Sequence, residues 1–133
     1  MVSQVITPAP FQAGARLIDG SDLNTALGAP TLTSENAITA LAGGGRTGAP
    51  ELKQRVSHIG TCATDADSVV LPVARPGVVK YVHNSTAHSA QIFANGSDTI
   101  NGTAGATGVA LAAGKSAVLF CAKSLAWGMV LSA

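Results

Sequence analysis

The sequence predicts an all-β protein, an antiparallel β-sandwich or barrel preceded by an extended N-terminal arm. Three observations predict it. From Asp67 to Ala133 short β-type runs recur roughly every ten residues, turn residues stand between them, and no interval is long enough for a crossover helix, which points to antiparallel pairing. Up to about residue 50, by contrast, Pro8, Pro10, Pro30 and Pro50 with Gly14, Gly20, Gly28 and Gly43-Gly44-Gly45 interrupt the chain too often for any long regular element.

Taken in order, residues 1–50 read as the arm and 51–133 as the β-domain. Within the arm two brief helical turns are expected. Asp22 caps Leu23–Leu27 with Gly28 closing it, and Thr33 or Ser34 caps a segment through Ile38 and Leu41 that Gly43 stops. Neither has an apolar face large enough to stand alone, so the arm is expected to gain order by lying on its own β-domain or on a neighbour. Leu52–Ile59 reads as the first strand, ended by Gly60, and Thr61–Asp67 as a polar connector. The runs Ser68–Leu71, Val78–His83, Ala90–Ala94, Thr99-Ile100, Val109–Leu111, Ala117–Cys121 and Trp127–Leu131 follow. Their separators, Arg75-Pro76-Gly77, Asn84-Ser85-Thr86, Asn95-Gly96, Asn101-Gly102 and Gly114-Lys115-Ser116, supply a fixed φ, a positive φ or a side-chain cap. Strand alternation sets Val78, Lys80 and Val82 on one face and Val79, Tyr81 and His83 on the other. Trp127, the chain's one Trp, belongs in the core, and Cys121 beside Phe120 reads as a small buried residue.

Composition narrows the function. A chain of 133 residues is one domain by size and needs no disulfide or metal to hold it. Hydrophobic residues are 47% of it, yet only 11% are charged against the roughly 25% usual for soluble domains, and only 4% are aromatic. Much of the surface must be Ala, Gly, Ser and Thr, which suits packing against copies of itself or a larger assembly. A net charge of +1, spread over singly placed cations, gives no footprint for nucleic acid or for an anionic membrane. The first eight residues lack the basic and apolar regions of a signal peptide, no stretch is long enough to span a membrane, and synthesis in the cytoplasm is expected. Cys62 and Cys121 are then expected as free thiols.

No motif carries chemistry. Gly43-Gly44-Gly45-Arg46-Thr47-Gly48 matches the spacing of a dinucleotide loop, but it follows no strand run and Pro50 spoils the receiving helix, so a flexible hinge is the better reading. Gly114-Lys115-Ser116 resembles the end of a P-loop, but Val109 stands where the first glycine belongs, so it reads as a hairpin turn. Asn84, Asn95 and Asn101 open glycosylation-type triplets, and their place at strand ends marks them as turn residues. His58, His83 and His88 have no metal-ligand spacing, although His83 and His88 flank one turn and can meet across it. Asp65 and Asp67 lack the glycine and later Glu of a calcium loop. With no nucleophile elbow and no Cys–His dyad, the expectation is a protein that is not an enzyme, with no catalytic, cofactor or metal site.

The order of several short motifs resembles a known group. Asp65-Ala66-Asp67-Ser68-Val69-Val70-Leu71-Pro72, then Pro76-Gly77, Val82-His83-Asn84, Ile92-Phe93-Ala94, Asp98-Thr99-Ile100-Asn101-Gly102, Phe120-Cys121 and Trp127 resemble small virion structural proteins of tailed bacteriophages, of the head decoration or capsid cement type. Asp19-Gly20-Ser21-Asp22-Leu23-Asn24 and Leu41-Ala42-Gly43-Gly44-Gly45 extend the similarity to most of the chain after about residue 15. The resemblance implies a β-sandwich, with the jelly roll among its topologies, on the outer surface of the virion head. The partners it implies are the major capsid protein and copies of itself as dimer or trimer, with no nucleic acid and no membrane. The alternative is a tail-fibre or spike component that binds a receptor or carbohydrate. The scarcity of aromatics argues against that, with Tyr81 and Trp127 as the residues it would use.

Overall fold

The computed structural model describes residues 33–133, and these form a compact unit. The expected helical turn at Asp22–Leu27 and the arm as far as Leu32 lie outside the described residues. Among the described residues there is no helix. Ten strands run in chain order: β1 (Ser34–Thr39), β2 (Val56–Thr61), β3 (Asp67–Val70), β4 (Val79–Asn84), β5 (Ala90–Phe93), β6 (Thr99–Ile100), β7 (Thr103–Ala104), β8 (Val109–Leu111), β9 (Ser116–Lys123) and β10 (Ala126–Leu131). Seven make a large sheet in the order β1-β2-β4-β9-β10-β6-β7, and three make a small one, β3-β5-β8.

The all-β expectation holds, and the antiparallel one does not. β1–β2, β2–β4, β3–β5 and β10–β6 are parallel, so both sheets are mixed. The expectation took the lack of crossover helices to exclude parallel neighbours, which need a connection of about a dozen residues or more. A strand in the opposite sheet supplies that connection instead. The chain leaves β2, forms β3 in the small sheet, returns as β4 beside β2, then forms β5 beside β3. The parallel coil ends at β5, with which β8 pairs antiparallel, and β9 pairs antiparallel with both β4 and β10.

β1 is the second correction. Ser34 to Leu41 was expected as a helical turn in the arm, yet Ser34–Thr39 pairs with β2, so residues 33–50 lie inside the β unit rather than ahead of it. A lone helix here has too few apolar contacts, whereas pairing with β2 satisfies the backbone and lets Ile38 pack on the core. Ala37 takes φ +59° at a register shift, and its Cα would stand 3.0 Å from a Cβ on Gly60, so the glycine makes room for the bulge. That bulge also blunts a sheet edge. The expected first strand starts later than predicted: β2 runs over Val56–Thr61, while Leu52, fully buried, donates its N–H to Val70 on the small sheet.

One hydrophobic cluster joins the sheets. Ile59, Val82, Leu119, Trp127 and Met129 enter it from the large sheet, and Val69, Ile92 and Leu111 from the small one. Trp127 is 2% exposed and Cys121 3%, as expected. The indole Nε1 has no hydrogen-bond partner among the described residues. β6 and β7 form a hairpin whose two loop residues, Asn101 (φ +50°) and Gly102 (φ +82°), both take the positive φ that a two-residue primed turn requires.

Candidate functional site

The carboxylates hold turns. Asp67, 1% exposed, accepts the N–H groups of Gly43, Ala63 and Thr64 and the hydroxyl of Thr64, at 2.7–3.1 Å. These bonds, that of the Thr64 backbone first, hold its pKa below the usual carboxylate value against the effect of burial. Asp65 accepts the Ser89 N–H at 2.8 Å, which lowers its pKa too, and lies 3.5 Å from His88 Nδ1. Asp98, 3% exposed, accepts the N–H of Ala74 at 2.7 Å. Among the described residues no three His, Cys, Asp or Glu side chains come together in a way that could hold a metal.

The glycine-rich loop is pinned. Gly43, Gly44 and Gly45 all have positive φ; Gly43 donates to Asp67, Gly44 to Leu41, and the Gly45 carbonyl accepts the Ser68 hydroxyl. The expected hinge is thus a fixed turn that closes over the Asp67 loop. Gly114-Lys115-Ser116 is a tight turn, with Lys115 N–H on the Ala112 carbonyl, but it carries the chain from the small sheet to the large one and closes no hairpin. Asn84, Asn95 and Asn101 act as expected of turn residues. Asn84 is the most heavily used: fully buried, its amide joins the 84–88 turn to the carbonyls of Leu111 and Ala112.

Lys80 is the one buried cation in the described core, 4% exposed, with Nζ donating to the Gln54 carbonyl at 2.5 Å. Burial lowers its pKa, and the nearby Glu35 and Glu51 oppose that. An open cleft of about 340 Å³ beside it is lined by Glu51, Lys53, Arg75 and Val78 among others. Its charges are of both signs, Lys80 among them, and no Ser, Thr, Cys or His lines it. Cys62 is 6% exposed, and its thiol pKa is raised by burial first and by Asp67 next, the opposite of an activated nucleophile.

The outer face of the large sheet is different. The alternation that buries Val82, Leu119 and Met129 turns Tyr81, Val118, Phe120 and Val130 to solvent at 36–59% exposure. Strand register places Val56 beside Tyr81, Tyr81 beside Val118 and Val118 beside Val130, so an exposed apolar row crosses four strands. Phe120 lies next to it, its ring over Gly128, where any Cβ would collide with it. A polar row runs alongside. His58 pairs with His83, their rings stacked at 5.8 Å, and His83 Nδ1 meets the Ser116 hydroxyl at 2.9 Å. His58 bonds outward to Asn36 and Ser85. His83 therefore meets His58 across parallel neighbours and not His88 across the turn, because strand pairing aligns residues 58 and 83. Sequence reasoning saw the period-two pattern but missed this face, since the row exists only once β2, β4, β9 and β10 are neighbours.

No protein-family model, no curated protein and no solved structure matches this chain.

Proposed function

We propose that this chain is a bacteriophage capsid decoration, or cement, protein: a non-enzymatic subunit that binds the assembled head shell and stabilises it by bridging neighbouring subunits of the major capsid protein. The observation that carries the reading is the division of labour among its polar and apolar groups. The polar residues of the phage-like pattern, Asp67, Asn84, Asp98 and Asn101, serve as caps and turn locks, while Val56, Tyr81, Val118, Phe120 and Val130, five of the eight exposed large apolar side chains among the described residues, gather on one sheet face. A body built this way offers a surface to bind with. Two sheets over one core fit the β-sandwich of such proteins, and the parallel coil distinguishes this chain from a simple jelly roll.

A protein that binds the assembled shell better than free subunits stabilises assembly by linkage, and many weak identical contacts reach useful strength through avidity. Residues 1–50 supply further length, with 33–50 built into the body as β1 and its following loop. Co-sedimentation of the purified chain with heads lacking it tests the reading. Saturable binding to assembled shells, with copies spread over the icosahedral surface by electron cryomicroscopy, is expected. Density confined to a tail or fibre tip would overturn the reading in favour of receptor binding. Of that alternative's two aromatic candidates Trp127 is buried, whereas Tyr81 is presented to solvent near the exposed ring of Phe120.

A further inference from the structure

We propose that the outer face of β2, β4, β9 and β10 is a self-association surface, on which a second copy of this chain stacks sheet to sheet about a two-fold axis near Val118. Four features argue for a second copy. The face is apolar along its central row, Val56, Tyr81, Val118 and Val130, and nothing among the described residues covers it. Apart from Lys123 at the end of β9, which the register shift sets beside Ala126, outward positions on the four strands carry no Asp, Glu, Lys or Arg, so the central row meets its own copy without like-charge repulsion. Ring and aliphatic groups alternate across it, with Tyr81 and Phe120 standing beside Val118, Val130 and Gly128, which lets two rotated copies interdigitate. Val118 sits inside the row with neighbours on both sides, the position an isologous contact repeats about its axis.

Area sets the strength. Four strands about 4.8 Å apart and some six residue steps along β9 give a face of roughly 400 Å² once side-chain width is included. Stable complexes bury about 800 Å² per partner, so this contact is about half that size and forms at high protein concentration. On a shared support, where copies are held close, the same contact becomes effectively intramolecular and persists. The inference rests on the same apolar face that carries the proposed head binding and names a second copy as its occupant, which the association state of the free chain tests apart from heads.

Sedimentation velocity of the full chain from low to high micromolar concentration is the test. The expected result is a shift from monomer toward dimer as concentration rises. Val118→Asp should weaken it at least about tenfold, since it buries an unpaired charge in the contact. Val73→Asp, at 51% exposure but outside the four strands, should leave it unchanged. If Val118→Asp alters the circular dichroism or the melting point, Val130→Asp at 59% exposure replaces it. A monomer throughout the range overturns the proposal, as does a dimer indifferent to both row substitutions. Labelling Val118→Cys with a thiol reagent separates other covers, because Cys62 and Cys121 are buried and the new thiol reacts first. Fast labelling in dilute solution that slows with concentration is expected. Slow labelling of a monomer means that the same chain covers the face, which also overturns the proposal. Heads decorated by a protein that stays monomeric would sustain the proposed function and remove only this surface.

Discussion

Replacing Asn84 by Asp changes one atom and should cost this fold much of its stability. The amide is wholly buried, and its Nδ2 faces the carbonyls of His88 at 2.8 Å, Leu111 at 3.1 Å and Ala112 at 3.2 Å. Its Oδ1 accepts the N–H of Thr86 at 3.1 Å and the Thr86 hydroxyl at 2.8 Å. A carboxyl keeps the Thr86 side and sets an oxygen against three carbonyl oxygens, so the two amide donors are lost and no replacement can reach. At about 1–3 kcal/mol for each buried group left unpaired, the loss is about 4 kcal/mol before any charge is buried. For a domain of this size each kcal/mol is worth about 4 °C, so the melting temperature should fall by about 15 °C at pH 7. The sign of the pH dependence is a second check. Burial and the three carbonyl dipoles raise the folded pKa of the new carboxyl above its unfolded value of about 3.9. The folded variant then binds more protons than the unfolded one, so the deficit relative to the parent shrinks as pH falls through that raised pKa. Thermal melts of both proteins by circular dichroism at pH 7 and in mild acid measure it. A variant melting within about 4 °C of the parent at pH 7, or a gap that stays constant on acidification, would refute the role given to Asn84.

Other substitutions probe the same framework. Gly105→Ala should destabilise by about 1–3 kcal/mol in urea titrations, because its Cβ would meet the Asp98 carbonyl oxygen and stand 2.8 Å from Ala94 Cβ, and neither can withdraw freely. Asp67 has a folded pKa below its ordinary 3.8, so its stabilising effect is full above that value and is lost as pH falls through the folded pKa. Acid titration followed by circular dichroism should therefore show a loss below about pH 4 that is smaller in Asp67→Asn, which starts from a lower stability at pH 7. Lys80→Met should be neutral or stabilising at pH 7, since it removes a buried charge whose one hydrogen-bond partner is a carbonyl and which the nearby Glu35 and Glu51 offset only in part. Because the Lys80 pKa is lowered in the fold, the parent should gain stability as pH rises toward 10.5, and the variant should lack that gain.

Local chemistry wrote the strands and turns into the sequence. Seven runs read from the alternation of apolar residues reappear as β3, β4, β5, β6, β8, β9 and β10, because period-two patterning and turn residues are properties of short stretches. Asn101-Gly102 specified its hairpin by the positive φ that both residues adopt, and Trp127 specified its own burial by size. The tertiary structure alone decided which strands meet. β1 was hidden because Ser34–Thr39 has little pattern of its own and becomes a strand through β2. Parallel pairing was hidden because the crossover from β2 to β4 passes through the other sheet, a connection no local signal marks. The exposed row has the same origin. Val56, Tyr81, Val118 and Val130 are up to 74 positions apart in the chain and form one surface only after the sheet assembles. Spacing within a strand is a local fact, whereas adjacency between strands is settled by burying one shared core, and the candidate site lies on the side of the sheet that this core leaves free.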